Sequence, residues 1–600
     1  MENVLFLPET DIFFNVPLNG FRGRFWGLQM ADLPRIHHLS VSLFEKIGLT
    51  DASGAFFSIK RFPLCDTDKF PHLCQKLLRM KKYVLLLMPF LTMLGCQKSG
   101  LPEPDSRQPE GEIFHQMIQL GEKLDDPYTV ANMQAALTKA YPTKAGRVSL
   151  KATDLYVRFL PKDDAQMDTL KARGLYLMDH PMDYRILREG DYYQDPDIGD
   201  DAITWQYSVV PQDFKFPEGL RYEVLDECYL ADNDVTKADD INWLAVEEEA
   251  FKLTGNEDLW EPPTKAAAVP TGRITIQDPE FSGGKPFGVA GVQVVANIFV
   301  KIARCFTSRD GYYTMPKSFS GKPRYRLVFQ NEKGFSIGFN FIIVPASVST
   351  LGVGGPEGID VEVKADGDDA LFRRCVVNNA AFDFYSRCTE TDLEIAPPPG
   401  DLRIWIFPGI SASSACMLHH GAFLDNDLLK RYLGVWLGLI QIFLPDITIG
   451  TSGQENYRAI YSAVSHELAH SSHYAKVGNA FWSPYIQYII QSFVTAGGQF
   501  YGTGTAEGSG YCEVGEMWGY FMQASLMKDR YKGAMDVYGN SFWFKPDIFT
   551  YLYERGMTRG EIYRALNSSA VDIASLKDEL IKVAPGLEKE IIETFERYGK

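Results

Sequence analysis

The stretch Ser465-His466-Glu467-Leu468-Ala469-His470 constrains the fold of this chain more than any other. Two of the ten histidines flank a glutamate there in the spacing HExxH. Positions i and i+4 share one face of a helix, so His466 and His470 can reach one divalent cation while Glu467 lies beside it. The alternative is an amphipathic surface helix with scattered histidines. The sequence around the motif decides between the two.

Length and composition limit the protein class. Six hundred residues are too many for one hydrophobic core and predict about three or four domains. Hydrophobic residues make up 45% and charged residues 23%, which is typical of a soluble globular protein. A net charge of -17 without a basic stripe argues against a nucleic-acid partner. The nine cysteines form no CxxC pair, although Cys375 and Cys388 could be bridged in an oxidising compartment.

A secretory signal is predicted inside the chain, at residues 80–96. Met80 and two lysines precede an apolar run over residues 83–95, which is too short to span a bilayer as a helix. An internal signal implies that Met80 is the natural start. Residues 1–79 are then an over-extended start that is not part of the mature protein. The alternative is a buried core segment preceded by a small domain.

The end of this segment, Leu94-Gly95-Cys96, resembles the lipobox of bacterial lipoproteins. The resemblance implies that Cys96 is lipidated and anchors the protein in a membrane of the bacterial cell envelope. The outer membrane is the expected location, and both the periplasmic and the extracellular face stay open. Residues 97–112, rich in Pro, Gly, Ser and charge, predict a tether.

Residues 113–260 predict a small α/β domain. Apolar spacing indicates a helix over 127–141 and another over 163–173, and an apolar run indicates a strand over 155–160. The position of this domain upstream of the motif makes it a candidate prodomain. A spacer or a partner-binding domain fits the same order.

Short alternating strands separated by an Asp-Gly turn predict a β-sandwich over residues 270–350. The pattern GVQVVAN…TSRDGYYTM…YRLVF resembles the carboxypeptidase regulatory-like domain, a transthyretin-like sandwich. The resemblance implies a structural or docking role rather than chemistry.

Residues 368–600 contain the motif. Predicted strands at 402–407 and 446–450 precede a helix over 454–474 that carries it, and a second helix is predicted over 513–528. This layout resembles a zincin metallopeptidase. In such sites two histidines and a third ligand hold Zn²⁺ and leave one position for a water. Glu467 would then take a proton from that water and return it to the leaving amine.

The third ligand requires separate arguments. The metzincin pattern fails, because position 473 is histidine and position 476 is lysine. His473 lies about 10 Å from His466 along a straight helix axis, which is too far for zinc–nitrogen bonds of about 2 Å. A supporting or surface role is therefore expected for His473.

The segment Tyr511-Cys512-Glu513-Val514-Gly515-Glu516-Met517-Trp518-Gly519 resembles the second helix of gluzincins, in which a glutamate is followed by an aromatic and a small residue. The resemblance implies Glu516 as the third zinc ligand. Glu513 is the alternative, one turn earlier on a similar face. Either glutamate also fits a helix N-terminus, where acidic side chains favour the dipole.

Substrate contacts are predicted more coarsely. Tyr511, Tyr501 and Tyr520 are candidate donors to a substrate carbonyl oxygen, and Tyr511 is preferred because it precedes the ligand helix. The small side chains of residues 411–416 suit an edge strand that pairs with a peptide substrate, although an ordinary loop or buried strand fits too. His419 and His420 follow that stretch as surface or substrate-contact residues.

As a whole the chain resembles the multi-domain zinc metallopeptidase lipoproteins of Gram-negative bacteria. The expected fold is multi-domain α+β, with a small α/β domain, a transthyretin-like β-sandwich and a zincin-like metallopeptidase domain. A peptide or protein is the expected substrate, including a specialised one such as a glycosylated or cell-wall-linked peptide. The alternative is a non-catalytic surface lipoprotein that binds glycan or protein through its sandwich.

Overall fold

The computed structural model describes residues 117–600, apart from 146–147, 191, 200–201, 262–267, 339–345, 391–392, 409–410, 423–444, 455, 496–500, 534 and 536–541. The predicted over-extended start, signal segment, anchor residue Cys96 and tether all lie outside these residues. Among the helices of the described residues, none combines the length and apolarity needed to cross a membrane. The described chain mixes helices and sheets, which agrees with the predicted α+β class.

The first region, residues 117–260, combines two small antiparallel sheets with helices. Strands β1 and β3 form one sheet, and β2 is the centre of the other, between β4 and β5. The predicted helix over 127–141 is present, and the side chain of Thr129 caps it by accepting from the backbone N–H of Asn132. The elements are β1 Gln119–Lys123, α1 Val130–Ala140, α2 Pro142–Ala145, β2 Asp154–Leu160, α3 Asp164–Ala172, β3 Tyr184–Arg188, β4 Gln206–Pro211, β5 Arg221–Cys228 and α4 Trp243–Leu253.

The middle region is built almost entirely of strands. The predicted Asp-Gly turn is present, and Gly311 has a φ of 83°, a left-handed conformation that favours glycine. The elements are β6 Thr271–Ile276, α5 Pro279–Ser282, β7 Phe287–Gly288, β8 Val292–Ile298, β9 Lys301–Phe306, β10 Tyr312–Thr314, β11 Arg324–Asn331, β12 Ser336–Gly338, β13 Val348–Val353 and β14 Val361–Val363. Strands β10, β6 and β14 with β7 form one sheet, and the others join a larger one.

The last region carries the motif and is mainly helical. Its elements are α6 Asp369–Thr389, β15 Arg403–Phe407, β16 Ser414–Ala415, β17 Ile447–Gly450, α7 Tyr457–Val477, α8 Asn479–Thr495, α9 Ser509–Tyr531, α10 Asp547–Glu554, α11 Arg559–Ala565, α12 Ile573–Val583 and α13 Glu588–Arg597. Helix α7 packs against both α6 and α9. Asn456 caps its start by accepting from the N–H of Ala459, and Gly478 ends it.

One eight-stranded sheet connects the middle and last regions. Its order is β16-β17-β15-β12-β11-β8-β9, with β13 also paired to β11. Strand β12 is antiparallel to β11 at Ser336 and parallel to β15, so it joins the two sets of strands. The strands of the predicted sandwich and those of the predicted metallopeptidase region therefore share a sheet. Alternating hydrophobicity identifies strands but does not reveal their partners.

Helix α7 is buried on all sides. Every residue from Ile460 to Tyr474 is buried, including His466 and His470. An amphipathic surface helix would leave one face in water. The alternative of scattered surface histidines is therefore wrong.

Helix α9 begins earlier than the sequence predicts. Gly508 precedes it in a left-handed conformation with a φ of 85°, and the helix starts at Ser509 instead of Glu513. The weak helix propensity of the Ser-Gly pair hides this start in the sequence. Tyr511 therefore lies inside the first turn of the ligand helix rather than before it, and neither Glu513 nor Glu516 is in that turn.

The predicted option of a Cys375–Cys388 bridge is wrong. Both residues are buried free thiols in α6. Their spacing separates them by about 20 Å along a helix, whereas a disulfide needs Cα atoms within about 7 Å.

Candidate metal centre

Two histidines on the buried helix α7 lie close together. His466 and His470 lie one turn apart, with their rings nearly perpendicular and their centroids 4.6 Å apart. Their Nε2 atoms are 3.0 Å from each other. Both nitrogens can therefore approach one small ion.

Glu516 of α9 completes the cluster. One carboxylate oxygen lies 3.5 Å from Nε2 of His466, and the other lies 3.7 Å from Nε2 of His470. Tetrahedral zinc with bonds of about 2.0–2.1 Å keeps its ligand atoms about 3.3 Å apart, close to these separations. Two imidazoles and a carboxylate are a donor set that zinc accepts. The residues therefore fit the ion.

Neighbouring side chains orient these groups. Nδ1 of His466 lies 3.0 Å from the amide oxygen of Gln523, whose amide nitrogen donates to Ser462 at 2.7 Å. This contact places the His466 proton on Nδ1 and leaves Nε2 free to bind a cation. The hydroxyl of Tyr485 on α8 donates to Glu516. Sequence reasoning missed both Gln523 and Tyr485.

Burial and charge keep the groups in the protonation states that a cation requires. Burial lowers the pKa of His470 to about 3, so the imidazole is neutral at pH 7. Burial alone would raise the pKa of Glu516, but the two histidines and the Tyr485 hydroxyl outweigh it and the pKa falls to about 2. A neutral imidazole and an ionised carboxylate bind a metal without losing a proton.

The close approach of α9 to α7 requires glycine at position 519. A Cβ atom there would lie 2.8 Å from Nε2 of His466 and 2.8 Å from Cε1 of His470. Trp518 fixes the same contact by donating its indole N–H to the carbonyl of Ala469 at 3.0 Å. The Trp-Gly pair that follows Glu516 thus joins the two helices at the cluster.

Glu467 is also buried, at 1% exposure, next to His466 on the helix. Burial raises the pKa of the Cys416 thiol most strongly. The negative charges of Asp446 and, to a smaller extent, Glu467 raise it further. Cys416 directly follows edge strand β16. The Glu467 carboxylate is therefore close enough to the residue after β16 for its charge to act there.

The other predicted residues have different surroundings. Glu513 pairs with Lys600 at 2.5 Å. His473 is fully buried against Phe481, with ring centroids 4.7 Å apart, and burial lowers its pKa to about 3. The described residues include one group of three or more His, Cys, Asp or Glu side chains arranged to hold an ion, and it contains neither residue.

The three candidate tyrosines separate into two groups. Tyr511 packs its ring on Phe481, with centroids 5.0 Å apart, and no described contact joins it to His466 or Glu516. The ring of Tyr520 packs edge to face against the ring of His466, with centroids 4.6 Å apart. Its hydroxyl is 3.2 Å from that of Tyr501.

His420 belongs to a separate polar cluster. Its two ring nitrogens each lie 2.9 Å from a carboxylate, that of Asp446 and that of Asp401, while His419 lies 3.2 Å from Asp401. Burial lowers the pKa of His420, but the two carboxylates outweigh it and the pKa is raised. These ion pairs hold the chain after β16 in place.

Comparison with known proteins adds no relative. The chain matches no family model, no curated protein and no solved structure.

Proposed function

We propose that this protein hydrolyses peptide bonds with a zinc ion held by His466, His470 and Glu516. The observation that carries the proposal is the meeting of these three buried side chains, whose ligand atoms all lie within 4.8 Å of one another. Buried imidazole and carboxylate groups are costly unless they are paired, hydrogen-bonded or bound to a metal. A bound cation accounts for the whole arrangement.

A bound zinc ion would polarise the substrate carbonyl and lower the pKa of an attacking water. Glu467 accepts the proton of that water and passes it to the leaving amine. Its place beside His466 on the same helix suits this transfer. Gln523 and Tyr485 hold the ligands in orientation. Tyr520, rather than Tyr511, takes the role of donor to the carbonyl oxygen, because it lies on His466.

The substrate is a peptide whose backbone lies along strand β16. In the described sheet β16 is an edge strand, antiparallel to β17. Ser411, just before it, is exposed, while Ser414 and Ala415 are buried. Small side chains let an extended peptide approach such an edge and form main-chain hydrogen bonds.

The location follows from the sequence. Lipidation of Cys96 would hold the protein at the surface of a bacterial envelope membrane, with the catalytic region on the periplasmic or extracellular side. The intact mass of the native protein tests this, because a lipid-modified chain that begins at Cys96 has a unique mass. A chain that retains residues 1–79 would contradict it.

The test of catalysis uses the purified full chain, metal analysis and a peptide library. We expect one zinc per chain, and Ala in place of His466 or His470 should abolish it. Glu467→Gln should retain zinc and lose cleavage by at least about 100-fold, the scale of a lost general base. Glu507→Gln, the same change at an exposed site, is the control.

The possible results separate the hypotheses. A fully active Glu467→Gln variant would remove the general base. Zinc-free protein without cleavage would favour the non-catalytic lipoprotein that binds glycan or protein through its middle region. Cleavage restricted to glycosylated or cell-wall-linked peptides would identify a specialised substrate.

A further inference from the structure

A second polar site lies in a cavity between the first region and the large sheet. Its volume is about 260 Å³. The chain around His180 and strand β3 forms one wall, and strands β8, β11 and β13 form the other. Four of the lining residues are cationic, namely Arg185, Lys322, Arg324 and Arg326, and none is an aspartate or glutamate.

Arg326 provides the main charge of this cavity. It is 2% exposed, and its guanidinium donates to Asn297 and lies 3.3 Å from Nε2 of His180. Burial lowers the pKa of His180, so the ring beside Arg326 is neutral. Its Nδ1 lies 2.7 Å from the Asp179 carboxylate. Among the described residues no carboxylate contacts Arg326 directly, and the negative charge of Asp179 acts on it from the far side of His180.

Three other arginines with largely buried side chains have a carboxylate partner. Arg373 pairs with Asp369 at 2.8 Å, Arg403 with Asp164 at 2.6 Å and Arg530 with Asp278 at 3.0 Å. Arg324, the neighbour of Arg326 on β11, pairs with Glu189. Because arginine stays protonated in proteins, Arg326 keeps a positive charge that none of the described carboxylates contacts directly. A buried charge without a counter-ion is costly.

The remainder of the cavity is apolar. Its apolar lining residues include Met182, Leu259, Ile298 and Phe299. The volume is near the lower end of ligand pockets, which begin at about 300 Å³. The space therefore suits a molecule with one anionic group and a short apolar body.

We propose that this cavity binds a small organic acid, with its carboxylate on Arg326 and its apolar body against Ile298 and Phe299. The guanidinium fork matches a planar carboxylate in shape and charge. Lys322 adds a second cation at the same cavity. Because the two walls belong to different regions, the bound acid stabilises their contact, and it does so independently of the proposed peptidase activity.

Hexanoate is the probe, with hexanamide and inorganic phosphate as comparisons, and the full chain is titrated by calorimetry. We expect one hexanoate per chain and a higher midpoint of thermal unfolding. Arg326→Gln should weaken binding at least about tenfold, the scale of one charge-assisted hydrogen bond. Lys322→Gln, which is safer for folding, should weaken it severalfold. Lys589 in helix α13 has an 82% exposed side chain, so Lys589→Gln should leave hexanoate binding unchanged.

Three results would overturn the proposal. Absence of hexanoate binding would remove the site. Equal binding of hexanamide would show that charge is not recognised, and equal binding of phosphate would show that the apolar body contributes nothing. If Arg326→Gln fails to fold, unchanged binding in Lys322→Gln would contradict the assignment.

Discussion

The molecule contains two buried polar clusters of opposite character. The cluster on α7 and α9 combines two imidazoles, those of His466 and His470, with the ionised carboxylate of Glu516. The cavity beside β11 combines cationic side chains with apolar ones and has no carboxylate in its lining. The first cluster offers lone pairs to a ligand, and the second offers N–H donors.

This difference shows what selects a ligand in a buried site. Histidines occur in both clusters, and both His180 and His470 have a pKa lowered by burial. Burial alone therefore does not make a metal ligand. In the helical cluster a carboxylate faces Nε2 of both imidazoles, whereas in the cavity Nε2 of His180 faces a guanidinium and only its Nδ1 faces a carboxylate, that of Asp179. The neighbouring charge determines whether a cation or an anion fits.

The largest expected effect tests the carboxylate of the cation site. Glu516→Gln should weaken zinc binding by more than about 100-fold, since loss of outer partners alone costs 10–100-fold. Glu513→Gln is the matched control three residues earlier, because Glu513 pairs with Lys600. Zinc content after dialysis measures both, and hexanoate binding should not change in either variant.

Zinc content in the two variants distinguishes the two candidate third ligands. Zinc loss in Glu513→Gln with normal zinc in Glu516→Gln would reverse the assignment. Normal zinc in both would leave the cluster without its third ligand.

A smaller effect is expected at the contact between the helices. Gly519→Ala places a Cβ 2.8 Å from both histidines, so we expect weaker zinc binding and a free energy of unfolding lower by about 1–3 kcal/mol. Gly515→Ala is the control one turn earlier, where the nearest atom, Cε2 of Tyr485, is 3.4 Å away. That variant should gain up to about 1 kcal/mol from helix propensity. Urea unfolding with and without zinc compares the two, and equal results would refute the close contact.

The smallest effect is a response to acid. In the metal-free protein His470 and His473 both have a pKa near about 3, against 6.5 when unfolded. The unfolded chain therefore binds more protons between these values, and each histidine lowers the free energy of unfolding as the pH falls. His473→Leu should reduce the slope of the free energy of unfolding against pH by about 1.4 kcal/mol per pH unit between about pH 6 and about pH 4.5.

Urea unfolding in the presence of a chelator measures that slope. An unchanged slope in His473→Leu would mean that His473 is protonated or exposed in the folded state. Arg326 does not titrate in this range, so acid should weaken the cation site without removing the charge of the anion site.

Much of the helical part could be predicted from the sequence. The HExxH spacing identifies His466 and His470, and the Glu516-Met517-Trp518-Gly519 pattern identifies the side chain that lies beside them. Helical periodicity places the two histidines on one face of α7, whereas Glu516 is predicted from a resemblance and lies on a different helix. The zinc ion and its chemistry stay predictions.

Other features depend on contacts between distant segments. Tyr485 reaches Glu516 from a different helix, and nothing in its local sequence distinguishes it among thirty tyrosines. The sequence favours Tyr511 only if the helix starts at Glu513, whereas the left-handed Gly508 places the start at Ser509. The cationic cavity unites residues more than a hundred positions apart, such as His180 and Arg326. Composition gives no sign of such a cavity.

The shared eight-stranded sheet limits how the protein can be divided. A fragment that begins at residue 368 would keep the motif but lose β12, the strand that pairs with β15 along its inner side. The exposed strand edge would then invite aggregation. During synthesis, the helices that carry His466 and Glu516 emerge after the strands on which their region rests. A fragment made to test zinc binding should therefore start ahead of β6, so that the region with the motif keeps the strands with which it shares a sheet.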